Sequence, residues 1–478
     1  MTSKNIEMWN EYGDHLIPIM PFMDNVIVSA EGSYLNDADG NRILDLASGQ
    51  FCNILGHTHP EFTERMKSAL DKCLHTGSQF VTDSVLRTAE KISRITPPGL
   101  DSVIMMSTGT EANELALRIA KTVTNRTGMV GYDRGYYGIS LATRSLSSIS
   151  EGHVDFSPAT PETHHLLAPS CANCPINLEY PGCKLACLDM SRRLIGESMG
   201  NVAAIIVETI VSAGGMIYPG KDYMRALRQL ADETGALLII DEAQTGFGRC
   251  GQWFDCENLE VQPDILVFSK TSGNGYPSSG VVISQTLRER LMDRGFYHLS
   301  SHQNDPLTAT AIAAVIDIIE ENDYIDLCRS NGAYFIEQLN SLSANHPNLA
   351  RVRGRGLMIA FDLVEDDEHR RPYSDMLTPF ILACKQEGLH LTYSYYEGSV
   401  RIIPAINITR EEIDFAIDVM DRVLKKVEQK SIDTDAVSQK NKVIRNSERP
   451  RRVKRVLNRV WETSPDYWLK KLKGRIAS

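Results

Sequence analysis

The 478-residue chain carries 61 Asp and Glu against 50 Lys and Arg, a formal net charge of −11 and a pI near 5.6. That balance argues against nucleic acid as the main partner, and the absence of an apolar run of about 18 residues argues against a membrane span. A hydrophobic share of 42% and a charged share of 23% fit a globular protein with room for two or three domains. The start, Met1-Thr-Ser-Lys-Asn-Ile-Glu-Met-Trp9, lacks the charged-then-apolar pattern of a signal peptide, so a cytoplasmic protein is expected.

Short apolar strands are expected at residues 102–106, 128–132, 203–208, 237–241, 265–269 and 280–284. Helical periodicity lies between them, as at 111–122 and 222–234. This alternation predicts an α/β fold, with a largely parallel sheet covered by helices and functional groups gathered at strand C-termini.

The chemistry-bearing residues follow the same order. Ser107-Thr-Gly-Thr-Glu-Ala-Asn113 joins the first of these strands to a helix. Small residues there let backbone N–H groups approach a phosphate, with Thr108, Gly109 and Thr110 as candidates, although the segment could equally be a helix N-cap. After the next strand, Tyr136 and Tyr137 could stack on a planar ring or belong to the core. Glu208 and Asp241 each close a strand, and Gln244 lies three residues past Asp241. Lys270 ends the strand at 265–269 and opens the turn-rich run Thr271-Ser-Gly-Asn-Gly-Tyr-Pro277. A lysine suited to a Schiff base and a carboxylate suited to a pyridinium nitrogen are the pair that pyridoxal phosphate (PLP) needs.

Nine of the ten cysteines fall into two groups. Cys52, Cys73, Cys250, Cys256 and Cys384 are scattered and read as reduced packing residues. Cys171-x2-Cys174-x8-Cys183-x3-Cys187 has ligand-like spacing, but with one compact pair in a Pro- and Asn-rich loop it is read as a thiol loop ahead of a zinc site.

After residue 305 helices at 309–321 and 330–342 precede the strands expected at 353–362 and 399–403, and a helix at 409–427 closes a smaller α+β unit. From Ser431 onward there are 13 Lys and Arg against 5 Asp and Glu, a net +8. This extension is read as mobile or surface-docked, with Trp461, Tyr467 and Trp468 packing part of it, or else as a contact for an acidic partner. The division expected is an N-terminal segment of the small domain (1–60), a large domain (61–305), the C-terminal small domain (306–428) and the extension (429–478).

Over roughly residues 10 to 427 these blocks resemble the class III, fold-type I, PLP-dependent aminotransferases. The resemblance rests on Gly56-His-Thr-His-Pro60, Ser107-Thr-Gly-Thr-Glu-Ala-Asn-Glu114, Asp241-Glu-Ala-Gln-Thr-Gly-Phe-Gly-Arg249 and Lys270. It implies a mostly parallel seven-stranded sheet in the large domain. It also implies Lys270 as Schiff-base lysine, Asp241 as pyridinium partner, Tyr136 as stacking ring, Ala243 on the opposite face and Gln244 near the phenolic oxygen; Glu208 orients its neighbours.

Within the family the chain is most similar to the 2,2-dialkylglycine decarboxylases, through Asp45-Leu-Ala-Ser-Gly-Gln50, Ile95-Thr-Pro-Pro-Gly-Leu-Asp101 and Asp241-Glu-Ala-Gln244. That likeness implies that Gln50 assists carboxylate loss and that Arg401, otherwise a surface ion pair, binds the substrate carboxylate. It implies an alkali-metal site (K+ or Na+) built from Ser78, Asp305 and the carbonyls of Thr76, Ser301 and Gln303. Ser301 would approach the phosphate of a neighbouring subunit, implying a homodimer or homotetramer with composite sites. The chain departs from the family at Tyr137 (usually histidine), at Thr209 (usually proline), in the loop after Lys270 and in the cysteine loop.

The expected reaction is decarboxylation-dependent transamination of an amino acid, with a keto acid such as pyruvate as acceptor. Ordinary amino transfer is the alternative, in which Lys270 removes a proton instead of carbon dioxide leaving. A non-catalytic binding protein of the same fold is a further alternative.

Overall fold

The computed structural model describes residues 3–17, 22–147, 160–365, 372–394, 396 and 398–432. The basic extension, with Trp461, Tyr467 and Trp468, lies outside the described residues from 433 onward.

Three strands open the chain, β1 (Ile27–Glu31), β2 (Tyr34–Asp37) and β3 (Arg42–Asp45). The middle supplies β4 (Ser102–Met106), β5 (Gly128–Tyr132), β6 (Thr163–Leu166), β7 (Val202–Glu208), β8 (Leu237–Asp241), β9 (Ile265–Phe268) and β10 (Ser279–Ile283). The last part contributes β11 (Leu349–Arg355), β12 (Met358–Leu363), β13 (Leu389–His390), β14 (Thr392–Tyr393) and β15 (Ser399–Ile402).

The seven middle strands form one sheet in the order β4-β10-β9-β8-β7-β5-β6. Its pairings are parallel from β9 through to β6, while β10 runs antiparallel to both β9 and β4. The central strands are apolar at nearly every position because both faces are covered. Ala204, Ile206, Ile239 and Val267 pack with the helix Gly109–Thr124, through Ala112, Leu115, Ala116, Ile119 and Ala120. Ile205, Val207, Leu238, Ile240 and Leu266 pack with the helix Lys221–Thr234 on the other side. Each fully buried branched side chain of this kind stabilises the fold by about 1.5–3 kcal/mol.

A second sheet, β1-β2-β3-β13, joins residues near the start of the chain to residues beyond 388, with β13 parallel to β3. The third, β11-β12-β15-β14, is antiparallel. Helices Pro306–Glu321, Tyr324–Ser343, Ser374–Gln386 and Arg410–Glu428 accompany these sheets. No helix among the described residues is long and apolar enough to cross a membrane.

Several boundaries move for identifiable reasons. The helix expected at 111–122 begins at Gly109 because Thr108 caps it. The single strand expected at 353–362 is a hairpin folded at Gly356, where φ is +56° and an added Cβ would meet the Arg249 carbonyl oxygen at 2.6 Å. The sheet β1–β3 is short, polar and half-exposed, and so carried no apolar run to announce it.

Candidate active site

Parallel pairing sets Glu208 of β7 directly beside Asp241 of β8 at the C-terminal edge of the sheet. On the other side of β8, β9 runs parallel with Asp241 opposite Val267 and leads through Ser269 to Lys270. Three neighbouring strands therefore deliver two carboxylates and one amine to one edge. Lys270 itself has φ +40°, in the left-handed region, and opens a 3-10 turn to Gly273. A non-glycine residue held this way costs roughly 1–2 kcal/mol and marks a position the surrounding structure enforces.

Asp241 is buried. Its Oδ2 accepts from Asn113 Nδ2 at 2.7 Å and its Oδ1 from the Ala243 N–H at 2.9 Å. Burial raises its pKa, against the lowering effects of Asn113, the Lys270 charge and the Ala243 N–H. Asn113 lies one turn into the capped helix, and its amide also donates to the Tyr137 carbonyl at 2.8 Å. Asn113 stood in the quoted sequence block, but nothing in a linear reading tied it to a carboxylate 128 residues away.

Glu208 is pushed up to about 8, chiefly by burial and further by Asp241, while the Tyr136 N–H and the Lys270 charge oppose the rise. Its Oε1 accepts that Tyr136 N–H at 2.9 Å, which fixes the backbone of the candidate stacking residue. The Tyr136 ring is half-buried. Tyr137 belongs to the core; its hydroxyl accepts the Tyr132 N–H at 3.1 Å.

Both sequence readings of the Thr108 segment have a counterpart. Thr108 and Glu111 form a reciprocal capping box, with the Glu111 N–H donating to Thr108 Oγ1 at 3.3 Å and the Thr108 N–H to Glu111 Oε2 at 3.1 Å. The box leaves the Gly109 and Thr110 amides as the remaining first-turn donors, which suits an anion. The Thr110 hydroxyl accepts the Ile139 N–H at 3.4 Å. Gly109 packs tightly: a Cβ there would sit 3.1 Å from Ser269 Oγ and 3.2 Å from Ser269 Cβ, against the residue that precedes Lys270.

Across the site, Ser48, Gly49, Gln50 and Phe51 form four consecutive residues of positive φ. Asp45 holds this turn, accepting the Ala47 N–H at 2.9 Å and the Gly49 N–H at 2.8 Å, with His57 Nε2 2.9 Å from Oδ2. Burial alone would raise the Asp45 carboxyl, but the His57 bond, the His390 charge and the two N–H donors keep it below the usual carboxylate range. The Gln50 side chain is exposed, whereas Arg401 on β15 is buried, with its guanidinium 4.7 Å from the Phe51 ring centroid and Nη1 3.5 Å from Ser212 Oγ. Arg401 is thus a buried residue, not the surface one of the alternative reading.

The remaining motif residues hold the frame. Buried Arg249 donates to the Pro404 carbonyl and lies 3.5 Å from Ser48 Oγ, linking the end of the Asp241 motif to this turn. Glu242 accepts the Cys256 N–H at 2.7 Å and the Asp255 N–H at 3.0 Å. In Gly56-His-Thr-His-Pro60, Gly56 has φ +88° and His57 reaches Asp45, while His59 caps the helix that Pro60 starts. Asn274, just beyond Lys270, accepts the Leu55 N–H at 2.9 Å and donates to the Gly56 carbonyl at 3.2 Å. The histidines of that motif thus have structural work.

The donors around Lys270 fit PLP. Asp241 is an acceptor for a protonated ring nitrogen, and the Gly109 and Thr110 amides face an anion. Gln244 Oε1 and Asn113 Oδ1 are buried without partners, leaving capacity for a polar ligand. Ala243 offers a small apolar surface next to Asp241.

The four loop cysteines are unpaired and near enough for their charges to interact. Among the described residues they do not form a ready metal-ligand set. Of the expected alkali-metal ligands, Ser78 Oγ donates to the Ser300 carbonyl at 2.8 Å. Ser301 is exposed, and the Asp305 carboxylate faces His75 and His302.

Residues 20–424 match the family model for class-III aminotransferases. Among curated proteins, an uncharacterized aminotransferase of Schizosaccharomyces pombe is 33% identical over 427 residues, covering 88% of this chain and 95% of that protein. A leucine/methionine racemase of Thermococcus litoralis is 29% identical over 416 residues, covering 86% and 93%. Among solved structures, a PLP-bound amine transaminase from an uncultivated Pseudomonas species superposes with a TM-score of 0.78 at 26% identity, covering 84% of this chain and 95% of that one.

Proposed function

This chain belongs to the class III aminotransferases, and we propose that it is a PLP-dependent enzyme moving an amino group from an amino acid to a keto acid without loss of carbon dioxide. The observation that carries this reading is the convergence of Asp241, Glu208 and Lys270 on one sheet edge, with Asp241 buried and held by two donors. The non-catalytic alternative has no comparable support, since the family and the relatives named above are enzymes.

PLP, when bound, supplies an electron sink for the pair released at the substrate α-carbon. The protein's own residues do the rest. Lys270 would anchor the cofactor aldehyde and afterwards carry the proton between substrate atoms as general base and acid. Asp241 would keep the ring nitrogen protonated, an arrangement stabilised because the charge on each group relieves the burial of the other. Tyr136 and Ala243 would bracket the ring, Gln244 would meet its phenolic oxygen, and Gly109, Thr110 and the Thr108 segment would hold the phosphate. Arg401 would clamp the substrate carboxylate with its planar fork.

A second reading, decarboxylation coupled to transamination, draws support from Gln50, which is held in a strained turn next to Phe51 and Arg401. There Gln50 would steer the carboxylate instead of the proton. A homodimer or homotetramer completes the proposal: exposed Leu74, Phe80, Val81, Tyr297 and Leu299 flank Ser78 and Ser301 in the chain, an apolar area that a second copy would cover.

The test is a paired assay on PLP-loaded protein. L-alanine with a keto acid, and 2-aminoisobutyrate with pyruvate, are supplied while carbon dioxide, ketone and new amino acid are recorded. Amino transfer without carbon dioxide supports the proposal. Acetone with carbon dioxide transfers it to the second reading, and inversion of alanine with no acceptor consumed overturns both.

A further inference from the structure

Asp305 occupies the N-cap position of the helix Pro306–Glu321, yet its side chain makes no capping bond. An aspartate there ordinarily accepts a first-turn N–H. Instead the carboxylate, only 8% exposed, turns toward two imidazoles. His75 Nδ1 lies 3.3 Å from Oδ1, and His302 Nδ1 is bonded to Oδ2. His75 comes from the segment after the helix Pro60–Leu70, so the three groups converge from regions 230 residues apart. Their ligand atoms all lie within 4.8 Å of one another, the one such group of three or more His, Cys, Asp or Glu among the described residues.

This donor set does not fit K+ or Na+. Hard cations select oxygen, and here two imidazole nitrogens crowd the carboxylate that an alkali ion would use. We propose that His75, His302 and Asp305 bind a divalent transition-metal ion of the zinc class, with water completing the coordination. Two neutral imidazoles and one carboxylate match the preference of such ions. With metal–nitrogen bonds of about 2.0–2.1 Å, tetrahedral ligand atoms stand about 3.3 Å apart. The His75–Asp305 separation already has that value, and the His302 bond would open to admit the ion.

The ion would brace the frame of the active site without touching substrate. Asn304, next to Asp305, exchanges both hydrogen bonds with Met105 of β4 at 2.8 and 3.0 Å, and β4 runs straight into Ser107–Thr110. The helix that Asp305 starts packs against the turn Lys270–Gly273.

The test uses the full-length, PLP-loaded protein, stripped of metals by chelator and dialysed. Co2+ and Zn2+ are titrated by calorimetry, and cobalt is followed by its visible absorption. The expected result is one ion per chain that is lost, or bound at least 100-fold more weakly, in His75→Ala, His302→Ala and Asp305→Asn. Zn2+ should raise the melting temperature of the wild type and leave the three variants unmoved. Asp305→Asn keeps the side-chain shape, so a folding defect in one histidine variant would not hide the answer. Uptake unchanged in all three variants would overturn the proposal, most directly if it vanished in Cys171→Ser/Cys174→Ser. Stabilisation by K+ with no uptake of Zn2+ or Co2+ would also overturn it.

Discussion

The Asn113 amide donates to Asp241 across 2.7 Å, joining the first turns of a helix to the end of a strand 128 residues later. Two strand-end carboxylates side by side would repel, and Asn113 is the side-chain donor that favours the ionised form of one of them. Asn113→Ala should therefore leave Asp241 harder to ionise. A hydrogen bond to a charged group contributes about 1.5–3 kcal/mol, so kcat/KM for amino transfer is expected to fall roughly 10- to 100-fold. PLP should also dialyse away faster than from the wild type. Unchanged kinetics and cofactor retention would remove Asn113 from the site.

Glu208 gives a pH signature. Its pKa is raised in the fold from an ordinary 4.5 to about 8, so between those values the folded state keeps a proton that the unfolded chain has lost. The associated stability is complete below pH 4.5 and is lost as pH rises through 8. Glu208→Gln keeps an oxygen to accept the Tyr136 N–H and has no charge to bury. The variant should gain about 4 kcal/mol on the wild type between pH 5 and pH 8.5, read by chemical denaturation at both. A constant difference across that range would contradict the buried, protonated Glu208.

A methyl group at Gly109 would fit only if Ser269 gave way by a few tenths of an ångström. Gly109→Ala should push on Ser269 and shift the strand end that presents Lys270, at about 1–3 kcal/mol in stability. Its φ is not in the left-handed region, so the effect is steric and Gly109→Ser should be at least as severe. Thermal unfolding together with PLP affinity reads both consequences.

Arg401 is buried against Phe51, where its flat guanidinium fits. Arg401→Lys keeps the charge but loses the fork and the stacking face. The KM for the amino acid should rise about 10-fold or more, with a smaller change in kcat. Equal loss in both constants would instead indicate a packing role.

The central sheet could be read from the sequence because its strands are buried on both faces and stand out as unbroken apolar runs. Lys270, Asp241 and Glu208 were legible for the same reason, each closing such a run. Asn113 was not, since its partner is brought near only by parallel pairing and helix docking. Arg249 likewise works through a backbone contact with residue 404, which no local pattern displays. The first sheet escaped notice because it is short, polar and half-exposed. His75 was missed because a histidine between leucine and threonine in a loop gives no hint of a carboxylate 230 residues downstream.

The pairing of β3 with β13 has a consequence for synthesis. Arg42–Asp45 leaves the ribosome early, but its parallel partner Leu389–His390 is made some 345 residues later. At 5–20 residues per second that is a delay of roughly 20–70 s, during which one edge of β3 has no strand beside it. The turn at Gln50 waits as well, because Ile403 and Ile406, which close backbone bonds onto Leu46 and Ile54, arrive later still. The nascent chain must therefore carry an open strand edge through most of its own translation, and the period before residue 406 emerges is when a chaperone would matter most.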